Sequence, residues 1–121
     1  MKEAALTNYI LILSVVVVIA VGQLLFKTVS QRLGDAGFLT LVTDPKTGLL
    51  FLAALTIYGI ATFGWVWALR QVPLSTAYLF MALGFVLVPV LAHFTFGEPV
   101  TARLAIGTMM IVGGILVAVS S

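Results

Sequence analysis

Four apolar runs constrain this chain more than any other feature: residues 9–28, 48–69, 74–94 and 102–120. Each is close to the roughly 20 residues that a helix needs to cross about 30 Å of hydrocarbon. In lipid the backbone must satisfy its own hydrogen bonds, so such runs fold as helices. The expectation is an all-α, polytopic membrane protein: one domain over residues 1–121, a bundle of four transmembrane helices. Composition agrees, with 62% hydrophobic and only 8% charged residues, against about 25% charged in soluble domains. The first run exceeds the roughly 7–15 apolar residues of a signal peptide and lacks a small-residue cleavage site, so it is expected to be retained.

Several function classes drop out. Without cysteine there are no disulfides, thiolate metal sites or cysteine nucleophiles. A formal charge of +2, scattered along the chain, makes no nucleic-acid footprint. No acid, base and nucleophile assemble within the apolar runs, so the chain reads as no enzyme, with no cofactor and no metal. The longest polar connection, residues 30–47, is interrupted by "FLTLV", expected to rest at the membrane interface.

Punctuation places the helix ends. Gly34 is a candidate stop for the first helix, because glycine tolerates the left-handed conformation that ends helices. Asp44 before Pro45 suits a helix start, since proline fits the first turn. "LRQVP" is so short that the second and third helices form an antiparallel hairpin. Thr101 is a candidate N-cap for the fourth helix, with Glu98 near its positive end.

Polar residues inside the runs are the candidate site. Gln23 and Lys27 lie four apart on one face, separated by about 6 Å of helical rise. Lys27 reads either as a snorkelling interfacial lysine or as a ligand for an anionic group. Gln23 must face another helix or a wet cavity, because an unpaired amide is costly in hydrocarbon. On the third helix Ser75, Thr76 and Tyr78 form a polar entrance, and Gly84 and Pro89 a flexible middle. His93 reads as interfacial. Trp65 and Trp67 point to nearly opposite faces, so one belongs to the aromatic belt. On the fourth helix Gly107 and Gly114 share a stripe, with Gly113 alongside. Small residues let a second helix approach closely, either within the subunit or as the seam of a dimer. Lys27, Arg32, Lys46 and Arg103 on one side outnumber Lys2 and Arg70 on the other. The positive-inside rule then puts the termini outside, leaving parallel and antiparallel pairs both open.

"AVGQLLFK", "WALRQVPLSTAYLFMALGFVLVPVLAHFTFGEPVT" and "GTMMIVGGILV" together resemble the drug/metabolite transporter superfamily. More narrowly, nearly the whole chain resembles the four-helix EamA-type proteins that include the ArnE and ArnF flippase subunits for undecaprenyl-phosphate-linked aminoarabinose. The family's "AGQ…K" falls on Val21, Gly22, Gln23 and Lys27, its "VP…AY" on Val72, Pro73, Ala77 and Tyr78, and its "EPV" on Glu98, Pro99 and Val100. The resemblance implies a dimeric carrier, a homodimer or a heterodimer with a paralogue, in the bacterial inner (cytoplasmic) membrane. Its partners would be membrane lipid and a lipid-linked sugar. Lys27 and Arg32 would then attract the phosphate, while Gln23, Ser75, Thr76 and Tyr78 hydrogen-bond the sugar. The chain is also similar to the small multidrug resistance exporters of cationic compounds, but where those carry a membrane-embedded glutamate it has Ile19. An alternative of another class is a non-transporting membrane subunit that stabilises a glycolipid enzyme.

Overall fold

A computed structural model describes residues 2–120. These are almost entirely helical, in the order α1 (Lys2–Arg32), a 3-10 turn (Gly37–Leu39), α2 (Thr40–Thr43), α3 (Pro45–Leu69), α4 (Leu74–Met81), α5 (Gly84–Phe96) and α6 (Ala102–Val119). α1, α3 and the α4–α5 pair are each long and apolar enough to cross a membrane, and α6 is a shorter apolar helix.

α1 and α3 form the tightest part of the molecule. On α3 the buried residues are Thr47, Ala54, Ala61 and Ala68. They recur every seventh position, the spacing that keeps one stripe facing a partner helix in a left-handed supercoil. Val15, Gly22 and Val29 repeat the same interval on α1 and are also buried. The two stripes run antiparallel: a Cβ on Gly64 would lie 3.0 Å from Val15 Cγ2, and one on Gly22 would lie 2.5 Å from the Tyr58 ring. Small side chains on both partners let the backbones approach closely, which is how helices gain packing in lipid. Ile12, Val16, Ala68, Val72 and Ala77 extend this core to the start of α4.

The α1–α3 connection departs from expectation in one detail. The left-handed glycine is Gly37, at φ 62°, and Gly34 is not. α1 has already ended by ordinary fraying at Arg32, with Leu33 N–H still reaching the Val29 carbonyl at 3.1 Å. The sharp reversal comes later, where Gly37 N–H bonds the Gly34 carbonyl at 2.9 Å. "FLTLV" becomes the 3-10 turn and α2, with Phe38 76% and Val42 81% exposed. Its Leu41 carbonyl crosses so near Gly48 that a Cβ there would lie 2.5 Å from the oxygen. Asp44 is extended and Pro45 opens α3.

The third apolar run, expected as one helix, is two. At Ala82 and Leu83 the ladder slips to tighter bonds, Leu83 N–H to the Phe80 carbonyl at 3.0 Å and Phe85 N–H to the Ala82 carbonyl at 2.9 Å. Pro89, inside α5, offers the Phe85 carbonyl no N–H and crowds it. The helix yields in the turn just before that carbonyl. Gly97, at φ 69°, closes α5, its N–H on the His93 carbonyl at 3.0 Å. Thr101 caps α6, accepting from Leu104 N–H at 3.1 Å. α6 packs lightly on α5, and none of its described side chains is buried.

Candidate functional site

The gap that α6 leaves is a groove of about 890 Å³ between α1, α4, α5 and α6. Each helix contributes one face. From α1 come Val16, Ile19, Ala20 and Gln23, and from α4 Ser75, Tyr78 and Leu79. Both sets follow the three-and-four spacing of a single helical stripe. Phe85 and Pro89 line it from α5, and Arg103, Gly107, Thr108 and Ile111 from α6. Tyr78, 65% exposed, and Phe85, 58% exposed, show that it opens sideways. Its lining is a mostly apolar floor with polar groups at Gln23, Ser75, Tyr78, Arg103 and Thr108, and without a carboxylate.

Gln23 serves two surfaces. Its side-chain amide donates to the Tyr58 hydroxyl of α3, an interhelix bond across the α1–α3 seam. The carbonyl oxygen and second N–H of such an amide are further bonding positions. Tyr58 in turn stacks on Phe26, with ring centroids 4.9 Å apart. Tyr58 was not among the sequence candidates, although a tyrosine in mid-run needs a partner for its hydroxyl and so carries a signal.

The remaining sequence candidates divide. Ser75, Tyr78, Gly84, Pro89 and Gly107 all border the groove with Gln23, but Thr76 does not. It lies one position from the Ser75–Tyr78–Leu79 stripe, about 100° around the helix. Lys27 is outside the lining and meets Glu98 of the α5–α6 connection at 3.9 Å, both side chains about half exposed. Arg32 is also outside: five residues beyond Lys27 is about 140° around the axis. Its Nε donates to Thr47 Oγ1 at 3.0 Å, and its Nη2 lies 3.5 Å from Asp44 Oδ2. Thr47 donates to the same carboxylate at 2.6 Å. That hydroxyl, with the Arg32 charge acting after it, holds the Asp44 carboxyl below its ordinary value against an opposing desolvation. This network clasps one end of the α1–α3 seam. Asn8, donating to Gln71 at 2.8 Å, clasps the other.

Among the described residues, a Cβ on Gly107, Gly113 or Gly114 would meet nothing within 4 Å. These glycines are therefore not packed inside the subunit. His93 points its Nδ1 at the Glu98 carbonyl, 2.8 Å away. Trp65 packs on the core, while Trp67 is 62% exposed with the Arg70 guanidinium 4.3 Å from its ring centre. Arg103 and Thr108 are groove residues that sequence reading missed. The signal lay in spacing, since Arg103 stands four before Gly107 on the same stripe.

Three helices long and apolar enough to cross a membrane place the chain in the class of multi-pass membrane proteins. Similarity to known proteins narrows the class. The chain is 34% identical over 109 residues to a Sodalis glossinidius (strain morsitans) protein described as a probable 4-amino-4-deoxy-L-arabinose-phosphoundecaprenol flippase subunit, ArnE. That match covers 89% of this chain and 93% of the relative. Proteins of the same description match at 44% identity in Pectobacterium atrosepticum, over 56% of this chain and 59% of the relative. In Pseudomonas aeruginosa (strain UCBPP-PA14) the match is 40%, over 52% and 55%. No protein-family model and no solved structure matches. The chain belongs to the ArnE family of flippase subunits.

Proposed function

We propose that this chain is one subunit of a flippase that moves a polyprenyl-phosphate-linked (amino)sugar, or a similar amphipathic lipid, across the bacterial inner membrane. The observation that carries the reading is the groove, open sideways and apolar along its floor, with Gln23, Ser75 and Tyr78 on its wall. A prenyl tail needs the floor, and a sugar needs the hydroxyl and amide groups. The names of the relatives point to the same ligand class. On this reading the whole chain is one domain and all four apolar segments cross, as a four-helix bundle. At 18 residues, α6 has about 27 Å of rise, slightly short of a core of about 30 Å but within the roughly 17–25 residues of spanning helices. The open glycines of α6 form the contact with a second subunit, identical or paralogous, so that the groove lies along the dimer axis. Gly84 and Pro89 supply the flexibility of the α4–α5 wall. The protein works by passage rather than by covalent chemistry.

Exchange of a cation for protons fits less well, because Ile19 lines the groove and no carboxylate does. The test is transport in proteoliposomes carrying this chain with its cellular partner subunit. Gln23→Leu and Tyr78→Leu should each slow translocation of the aminoarabinose lipid by about tenfold, equivalent to ~1.4 kcal/mol of barrier. Unchanged rates with intact protein would remove the groove from the pathway.

A further inference from the structure

The charged side chains sort into two groups. Lys27 is paired with Glu98 at 3.9 Å, Arg32 with Asp44 at 3.5 Å, and Arg70 lies over Trp67 at 4.3 Å. Among the described residues Arg103, like Lys46 and Asp35, has no ion pair, and it alone of the charged residues lines the groove.

Topology fixes which end it occupies. α1 ends, α5 ends and α6 begins on the same side of the bundle, tied together by the Lys27–Glu98 contact. Gln23 lies toward that end of α1, and Thr108 follows Arg103 by little more than one turn of α6. From there the floor runs through Ile19, Phe85 and Ile111. A cation without a counter-ion at the head of an apolar trough is matched by an anion attached to a long hydrocarbon chain. A guanidinium adds geometry to charge, since its planar fork bonds two phosphate oxygens at once.

We propose that Arg103 recognises the phosphate of the transported lipid, holding it at the start of α6 with the chain laid along the floor. This assigns to Arg103 the role that the family resemblance had suggested for Lys27 and Arg32. It rests on reading the groove as a lipid pathway, and the shared chemistry is a phosphate ester on a long apolar chain.

The test measures binding to purified protein in phosphatidylcholine nanodiscs. The probes are undecaprenyl phosphate, uncharged undecaprenol, phosphatidylglycerol and inorganic phosphate. Arg103→Gln should weaken undecaprenyl phosphate binding by about tenfold or more, and Arg103→Lys by less, because the charge survives without the fork. Undecaprenol should bind the wild type and Arg103→Gln alike, which also reports that the variant is folded. Lys46→Gln should change nothing. Undecaprenyl phosphate held as tightly by Arg103→Gln as by the wild type, or failing to bind the wild type, overturns the proposal. Phosphatidylglycerol or inorganic phosphate bound equally well through Arg103 also overturns it, reducing the residue to a headgroup contact at the surface. Arg103-dependent binding without translocation in proteoliposomes would leave the phosphate site standing and remove the flippase reading instead.

Discussion

α1 presents two faces that are built in opposite ways. Toward α3 it offers Val15, Gly22 and Val29 to a stripe of alanines, clasped at one end by Asn8 and Gln71 and at the other by Arg32, Asp44 and Thr47. Toward α6 it offers Ile19 and Gln23 to about 890 Å³ of open space. One helix is therefore both the rigid half of the scaffold and one wall of the groove. Small residues carry different meanings on the two sides. On α3 they are buried because a partner is already there, whereas on α6 a Cβ on Gly107, Gly113 or Gly114 would meet nothing within 4 Å among the described residues.

The contrast breaks most sharply under a bulk test. Ala54 is 0% exposed, so Ala54→Leu should cost about 2–3 kcal/mol of stability by overpacking, read as a lower unfolding midpoint in detergent. Gly107→Leu, with nothing within 4 Å of its Cβ, should change stability by less than ~0.5 kcal/mol while reducing dimer content or transport. Equal losses of stability would erase the distinction between the two faces.

The clasp comes next in size. Thr47→Val removes a fully buried hydroxyl that accepts from Arg32 and donates to Asp44, at a cost of about 1–2 kcal/mol in the same unfolding assay. A smaller effect follows from Asp44 itself. Its folded pKa lies below the ordinary 3.8, so its contribution is complete above that value. It is lost as pH falls through the lower folded pKa. Asp44→Asn should flatten that acid limb of stability against pH, and an unchanged limb would detach Asp44 from the clasp. The smallest effect belongs to Lys27 and Glu98, each side chain about half exposed. Lys27→Ala should alter stability by less than ~0.5 kcal/mol.

Much of this was legible in the linear chain, for identifiable reasons. Apolar run length is set by the thickness of a bilayer, so α1 and α3 were visible as long runs. Gln23, Ser75 and Tyr78 stood out because hydrocarbon penalises unpaired polar groups wherever they occur. Arg103 did not stand out, because at the start of a helix an arginine resembles any interfacial cation. Only docking α6 beside α1 and α5 reveals that its stripe faces the groove. Arg32 lies outside the groove lining for the complementary reason: closeness to Lys27 in sequence is not closeness around a helix. The alanine stripe of α3 was present as a seventh-residue repeat, but alanine is common in membrane helices and its burial depends on what lies opposite. The break between α4 and α5 appears nearly two turns ahead of Pro89, where the backbone yields rather than where the ring sits.

The α1–α3 seam also sets an order of events during synthesis. Every residue of it, from Asn8 to Gln71, has been translated before the first residue of α6 exists. N-terminal units form first as a chain emerges, so α1 and α3 are able to close on each other while the groove still lacks a wall. The groove is thus the last thing this protein acquires, and it acquires it from a helix that packs only lightly on α5.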